Sequence, residues 1–318
     1  MKSQLIIHPE ELSRKWIDRA AANGIDVLGI HPRGGRLAAF YLVEMLDMLK
    51  KTEFRALIDY AHARGLEVEY EFHAATYLLP RELFLEKHQL FRMNEQGART
   101  KKLNFCFTGE ETLATVAENA AALAEKLYGS GKNFYFWLDD CRGSACHCEK
   151  CREYTPSEQQ LLAVNAMARA VREKIPGARM AYLAYADSMP PPEKVKPEQG
   201  VFLEYAPMEK YKNEAGSAAL ALEEEKMLPR LLEFFGADGA KVLEYWYDNS
   251  MFSGWEKPPK RFSPDVGAMA RDVSFYSEKG FRYISSFACF LGEDYEKLYG
   301  EADIAPFAAC VKGLHRLS

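Results

Sequence analysis

TEFRALIDYAHARGLEVEYEFH, residues 52–73, places a helical pattern directly before a strand pattern. The pattern predicts a helix from Thr52 to Arg64, and Gly65 ends it, because glycine is the common residue just past a helix C-terminus. The run EVEYEFH at 67–73 is typical of a β-strand. This stretch therefore predicts one complete helix–strand unit.

Comparable units recur along the whole chain. Runs rich in aromatic and β-branched residues predict eight strands, which are VLGIH (27–31), EVEYEFH (67–73), LNFCF (103–107), FYFWLDD (134–140), RMAYLAYA (179–186), VFLEYAP (201–207), VLEYWYDN (242–249) and YISSFACF (283–290). Amphipathic helical segments separate most of them, and the last helix is expected from Ile304 to His315. The connection MPPPEKVKPEQG (189–200), with four prolines, is expected to be non-helical.

Alternating strands and helices imply parallel strands joined by crossover helices. Eight such units in 318 residues predict an α/β fold, a (β/α)8 TIM barrel in which residues 1–318 form a single domain. The competing doubly wound sheet would need a glycine-rich phosphate loop after its first strand. HPRGG (31–35) lacks the required G-x-G-x-x-G spacing.

The composition, with 48% hydrophobic and 27% charged residues, is that of an ordinary globular protein. The net charge of −5 leaves no surplus of cations to neutralise phosphates, so nucleic acid is not expected as a partner. No apolar run approaches the roughly 20 residues that cross a bilayer, so no membrane association is expected either. Leu5–Ile7 is too short for the apolar core of a signal peptide. We therefore expect a cytoplasmic protein, or a secreted one if a signal peptide has been removed ahead of residue 1.

In a (β/α)8 barrel, the carboxyl ends of the strands build the active site. At these ends the sequence places acidic and aromatic side chains. Carboxylates can act as acid, base or nucleophile, and flat rings stack on the apolar faces of sugars, so this combination favours glycoside hydrolysis. The candidate catalytic residues are Asp139, Asp140, Glu204 and Glu244. The candidate substrate-binding residues are His31, His73, Trp137, Tyr185, Tyr205, Trp246 and Asp248.

Asp139 and Asp140 end the predicted fourth strand, shortly after Trp137. Two adjacent carboxylates disfavour each other's ionisation, so one of them can stay protonated as a general acid. Strand alternation places Asp139 on the face of Trp137, but a turn at the strand end would let both aspartates reach the barrel mouth. The competing interpretation is an aspartate that caps a helix or bridges a loop.

Glu204 and Glu244 lie within apolar strands, where a charge is costly unless it is paired or faces a polar lumen. Because the helix-facing side of a barrel strand is apolar, both glutamates are predicted to face the lumen. The alternative is a buried ion pair with Lys or Arg that only stabilises the barrel. For His31 the alternative is a loop histidine fixed by its own hydrogen bonds.

Cys146, Cys148 and Cys151 form a C-x-C-x-x-C motif in the loop after the predicted fourth strand. Tetrahedral zinc requires a fourth ligand, which Cys106 at the end of the neighbouring predicted strand can supply; Cys141 and His147 are alternatives. Four protein ligands would close the coordination shell, so the zinc would be structural. The competing interpretation is a set of free thiols. An odd total of seven cysteines argues against a disulfide framework.

WLDD (137–140), the C-x-C-x-x-C motif and DYAHARGLEVEYEFHA (59–74) resemble an uncharacterised glycoside-hydrolase-like TIM-barrel family, a domain of unknown function related to the β-hexosaminidases and α-glucuronidases. The hexosaminidase resemblance implies that Asp140 is the general acid and that Asp139 orients a substrate acetamido group, although that family has Asp-Glu at these two positions. A retaining-hydrolase resemblance instead implies an acid at Asp139 or Asp140 and a nucleophile at Glu244. The set Cys106, Cys146, Cys148 and Cys151 resembles the structural zinc site of some barrel β-galactosidases.

The sequence thus predicts a glycoside hydrolase that acts on a saccharide by carboxylate acid–base chemistry and carries one structural zinc. The first alternative is a barrel that binds sugars without cleaving them. The second is a metal-dependent isomerase or hydrolase using His31, His73 and the acidic residues. Only two of the seven histidines lie at predicted strand ends, which counts against the second alternative.

Overall fold

The computed structural model describes residues 1–212 and 214–313, and within them eight parallel strands form a closed barrel. The strands are β1 (Lys2–Ile7), β2 (Val27–Ile30), β3 (Glu67–His73), β4 (Asn133–Trp137), β5 (Arg179–Ala184), β6 (Val201–Tyr205), β7 (Lys241–Glu244) and β8 (Tyr283–Phe287). Each strand pairs with the next along the chain. β1 closes the barrel, because Leu5 aligns with Leu28 on one side and Ser286 on the other. The predicted α/β (β/α)8 TIM barrel is confirmed.

Helices cover the outside of the barrel. They are α1 (Arg14–Ala22), α2 (Ala38–Met48), α3 (Thr52–Ala63), α4 (Ala75–Leu78), α5 (Glu110–Ala124), α6 (Pro156–Lys174), α7 (Ser217–Phe235), α8 (Asn249–Phe252), α9 (Val266–Glu278), α10 (Glu293–Tyr299) and α11 (Ala305–Val311). The start of α6 shows why they form where they do: the Thr155 hydroxyl accepts from the Glu158 N–H, and the Glu158 carboxylate accepts from the Thr155 N–H. His315, the predicted end of the last helix, lies outside the described residues.

Two points of the strand prediction are wrong. Residues 103–107 are a loop with a single bridge between Phe105 and Phe91, and the strand that completes the barrel is β1. Phe105 and Phe107 are buried, and their rings pack the long connection after β3 onto the core. A loop that buries aromatic rings has the composition of a strand, so composition alone predicts a strand here.

The connection between β5 and β6 is non-helical, as predicted, apart from one 3-10 turn at Ala186–Ser188. Among the described helices, none has both the length and the apolar character needed to cross a membrane.

A buried polar network fills the lower part of the barrel and forms the floor beneath the strand ends. The Lys241 ammonium contacts the Glu71 carboxylate and lies 3.0 Å from Glu204 Oε1, and all three side chains are fully buried. Glu69 accepts from the Tyr135 hydroxyl at 2.7 Å. Burial raises the pKa of Glu71 to about 8, because low polarity disfavours the charged form.

Candidate active site

A cavity of about 440 Å³ opens at the carboxyl ends of the strands. This volume lies within the range of small-molecule sites, roughly 300–1,000 Å³. Its lining includes His8, His31, Arg33, Tyr41, His73, Trp137, Asp140, Tyr185, Tyr245, Asp248, Trp255 and Phe287. The sequence-predicted residues His31, His73, Trp137, Tyr185, Asp140 and Asp248 are therefore brought together in one place.

Trp137, at the end of β4, forms part of the aromatic base of this cavity. Its ring centroid lies 5.5 Å from that of His31 and 5.2 Å from that of His73. The indole N–H donates to Glu204 Oε2 at 2.7 Å. Glu204 thus faces the lumen as predicted, but it lies beneath Trp137 in an ion pair with Lys241.

The two adjacent aspartates after β4 point to different places. Asp140 is exposed, lines the cavity, and accepts a hydrogen bond from the Tyr185 hydroxyl at 3.0 Å. Asp139 faces a separate space of about 40 Å³, where its Oδ2 lies 3.2 Å from Arg81 Nη2. Its backbone N–H donates to Asn104 Oδ1 at 2.9 Å. Burial raises the pKa of Asp139, against the lowering effect of Arg81.

The Glu244 carboxylate lies on the helix side of β7, so the prediction that it faces the lumen is wrong. It accepts from Lys210 Nζ at 2.6 Å and from the hydroxyls of Tyr211 and Tyr276. These polar groups from the surrounding layer satisfy the carboxylate, and the assumption of an apolar helix-facing side fails here.

Trp246 and Tyr205 also lie outside the cavity. The Trp246 indole N–H donates to Asp272 of α9 at 3.0 Å, and the Tyr205 ring packs near those of Tyr276 and Phe281. The structure therefore does not bring these two predicted substrate-binding residues to the site.

The chain returns to the cavity after β7 through a turn. Tyr245 follows Glu244, lines the cavity, and packs with its ring 5.4 Å from that of Phe287. Asp248 is buried at the cavity wall, where its Oδ1 accepts from the Ser250 N–H at 3.0 Å. Burial raises the pKa of Asp248 to about 6.

Comparison with known proteins places this chain in a family. Residues 44–289 match the family model described as domain of unknown function DUF4838. The chain belongs to the DUF4838 family. No curated protein matches its sequence.

Solved structures similar to this DUF4838 protein are TIM-barrel glycoside hydrolases. A β-galactosidase from the psychrophilic Marinomonas ef1 matches with a TM-score of 0.56 and 13% identity over 99% of this chain and 59% of that chain. A GH20 catalytic module of the pneumococcal exo-β-D-N-acetylglucosaminidase StrH matches with a TM-score of 0.53 and 12% identity. The match covers 98% of this chain and 81% of that chain. Endo-glycoceramidase II from Rhodococcus sp. matches with a TM-score of 0.53 and 10% identity. The match covers 91% of this chain and 73% of that chain. At these identities the likeness shows the fold alone, and the DUF4838 chain spans 59% of the β-galactosidase.

The predicted cysteine cluster is present in the DUF4838 protein. Cys106, Cys146, Cys148 and Cys151 are buried, and their Sγ atoms lie within 4.8 Å of one another. Cys106 comes from the connection after β3 and the other three from the connection after β4; no disulfide joins them. Across residues 1–212 and 214–313, no other group of three or more His, Cys, Asp or Glu side chains converges in this way.

Several cavity residues of the DUF4838 protein were missed in the sequence, among them His8, Tyr245 and Trp255. His8 was missed because β1 was not recognised as a strand. Tyr245 was missed because an apolar helix-facing side of β7 was assumed, which put Glu244 inside and its neighbour Tyr245 outside. Trp255 lies in an irregular loop, where no periodic signal exists.

Proposed function

We propose that this DUF4838 protein is a glycoside hydrolase whose substrate binds in the cavity at the carboxyl ends of the strands. The observation that carries the proposal is the joint presence of two carboxylates, Asp140 and Asp248, and an aromatic base of Trp137 and Phe287 in one cavity. Two carboxyl groups flanking a bound sugar are the usual requirement of glycoside hydrolysis. We treat residues 1–318 as one catalytic domain.

Asp140 is assigned as the general acid. It follows β4, it is open to solvent in the cavity, and the Tyr185 hydroxyl holds one of its oxygens. Its role is to give a proton to the leaving glycosidic oxygen, which typically contributes ~10²–10⁴-fold. Asp139 is a positioning residue, because its bonds to Arg81 and Asn104 fix the turn that carries Asp140.

Asp248 is assigned as the second carboxylate. It follows β7, the strand for which the retaining-hydrolase resemblance implied a nucleophile, and it reaches the cavity where Glu244 does not. In its ionised form Asp248 would attack the anomeric carbon or activate a water molecule. Glu204 and Glu244 are then structural groups held in ion pairs with Lys241 and Lys210.

The cysteine cluster is proposed to hold one structural zinc. With Zn–S bonds of about 2.3 Å, a tetrahedral site separates neighbouring sulfur atoms by about 3.8 Å. The distances from Cys106 Sγ to the Sγ atoms of Cys148 and Cys151 are 3.7 and 3.8 Å. Four thiolates leave no open position, so the metal would stabilise the fold and take no part in the chemistry.

The test compares Asp140→Asn with wild type on two classes of glycoside. A substrate with a poor leaving group should be hydrolysed at least ~10²-fold more slowly, and an activated aryl glycoside should lose less, because its leaving group needs less protonation. Asp238→Asn, at an exposed position far along the chain, is the matched control and should behave as wild type. Equal losses on both substrates would remove Asp140 from the acid role. A wild type that binds sugars but hydrolyses none would establish the non-catalytic alternative.

A further inference from the structure

Three histidines that the proposed mechanism does not use form a row along one wall of the cavity. His8 follows β1, His31 follows β2 and His73 ends β3, so three neighbouring strands present them. The ring centroids of His8 and His31 are 6.1 Å apart, and those of His31 and His73 are 6.3 Å apart. The three rings therefore line one side of the space in which a ligand would bind.

Backbone carbonyls fix which nitrogen of each ring carries the proton. His8 Nδ1 donates to the His31 carbonyl at 2.8 Å, and His31 Nδ1 donates to the Glu71 carbonyl at 2.7 Å. His73 Nδ1 donates to the Leu138 carbonyl. Because a carbonyl oxygen can only accept, Nδ1 must be the donor and Nε2 of the neutral ring presents a lone pair. Within the described part of the chain, no group hydrogen-bonds any of the three Nε2 atoms.

The surroundings favour the neutral form of two rings in the row, those of His8 and His31. Burial holds the pKa of His31 well below its usual range, and the neighbouring His8 adds to this effect. Burial also lowers the pKa of His8, against the raising effect of Glu10. Both rings are therefore uncharged hydrogen-bond acceptors near neutral pH.

The cations nearest the row are already paired. Arg33 donates to Glu10 Oε1 from Nε at 3.0 Å and from Nη2 at 2.7 Å. Lys257 Nζ lies 2.6 Å from Asp294 Oδ2. An anionic ligand would therefore share these cations with the carboxylates that already partly neutralise them.

We propose that His8, His31 and His73 act as three hydrogen-bond acceptors for the hydroxyl groups of one uncharged sugar ring, so that this site takes neutral glycosides and rejects uronic acids. The inference rests on the proposed function, because it names the substrate class of the same cavity. Each hydroxyl has a proton to donate to an Nε2 lone pair. A uronate carboxylate has none, and it would also be repelled by Asp140 and Asp248.

The test is calorimetric binding of methyl glycosides of neutral hexoses, their monodeoxy analogues, and the matching methyl uronides to the whole chain. We expect the neutral glycosides to bind at least about tenfold more tightly than the uronides. Replacing a contacted hydroxyl by hydrogen should weaken binding on the order of tenfold, because a buried acceptor then loses its donor.

His31→Asn provides the matched variant, because the asparagine amide can still donate to the Glu71 carbonyl but has no group equivalent to Nε2. Neutral sugars should bind to His31→Asn on the order of tenfold more weakly than to wild type. The deoxy analogue that binds wild type weakly should bind this variant with the same affinity as it binds wild type. His62→Asn is the control, since both ring nitrogens of His62 contact carbonyls outside the cavity, those of Leu66 and Gly129. Thermal melts of both variants verify folding.

The outcomes separate this inference from the proposed function. Two results would overturn the proposed role of the three histidines and leave the proposed hydrolysis unaffected. The first is that uronides bind as tightly as neutral sugars. The second is that His31→Asn changes neither the affinity for neutral sugars nor the loss of affinity caused by removing a hydroxyl. Histidine-dependent binding without hydrolysis would support the row and overturn the hydrolase. Failure of every probe to bind would overturn both.

Discussion

Asp248 and Asp140 line the same cavity but differ in access to water. Asp248 is buried, and its pKa is raised to about 6, above the ordinary aspartate value of about 3.9. Asp140 is exposed. A raised pKa means that the Asp248 carboxyl is protonated below about pH 6 and ionised above it. The pH dependence of the reaction therefore reports what Asp248 does.

If Asp248 acts as nucleophile or base, it must be ionised, so kcat/KM should rise as the pH increases through about 6. Asp248→Asn should abolish this rise and lower kcat/KM by at least ~10²-fold, as measured in a pH–rate series on one glycoside. A wild-type profile that instead falls through pH 6 would exchange the roles of Asp248 and Asp140.

Trp255 and Trp246 make a matched pair of tryptophans, one inside the cavity and one outside it. Trp255 lines the cavity and is 67% exposed, whereas Trp246 is buried against the outer layer. Trp255→Ala should weaken binding of a neutral methyl glycoside and leave the free energy of unfolding nearly unchanged. Trp246→Ala should instead cost about 3–5 kcal/mol of unfolding free energy. Calorimetry and urea denaturation on both variants measure the contrast, and a binding loss confined to Trp246→Ala would refute it.

At the scale of elements, the connections after β3 and β4 act as one unit. The cysteine cluster joins them, and Asn104, two residues before Cys106, accepts from the Asp139 N–H at 2.9 Å. Asn104 also donates to the Ser144 hydroxyl at 2.9 Å. A metal held by the cysteines would therefore stabilise the turn that carries Asp140.

We expect elemental analysis to find about one zinc per chain. Cys106→Ser should abolish zinc binding, lower the melting temperature, and reduce activity, because the two connections separate. Cys310→Ser, at a buried cysteine outside the cluster, is the control and should retain the metal. Freshly purified protein without zinc and with all four thiols titratable in the native state would contradict the assignment.

The elements also show how far sequence reasoning reaches. Proline and glycine boundaries and repeated strand composition were sufficient for the barrel, and ligand spacing was sufficient for the cysteine cluster. The side of a strand on which a residue lies depends on the phase of the alternation, and an apolar helix-facing side predicts that Glu244 lies inside. Glu244 instead has polar partners on the helix side, so this phase is reversed and places Glu244 and Trp246, rather than Tyr245, in the lumen. Partners contributed by distant loops, such as Lys210 for Glu244, leave no local signal.

At the scale of the whole molecule, the polar floor contains more carboxyl groups than cations. Glu69, Glu71 and Glu204 surround the single cation Lys241 among the described residues of this network. Removing one partner of a buried ion pair leaves an uncompensated charge, which costs about 3–5 kcal/mol. A single substitution that removes one charge from the floor is thus expected to be strongly destabilising.

Lys241→Met should lower the free energy of unfolding by about 3–5 kcal/mol, measured by urea denaturation. The control is Lys2→Met, which breaks an exposed pair with Glu67 at 2.9 Å and should cost at most about 1 kcal/mol. Similar effects of the two variants would show that the floor is hydrated and that its charges are screened.

Barrel closure also requires the first of the eight strands to pair with the last one to be synthesised. Among the eight strands β1 leaves the ribosome first, yet its residue Lys2 aligns with Tyr283 of β8, which is synthesised 281 positions later. Throughout that interval one flank of β1 has no neighbour to complete its backbone pairing. Contacts of such long sequence separation are slow to form, and an open sheet can pair with another chain in the meantime. The nascent chain therefore passes through a long aggregation-prone period that ends only when β8 is available.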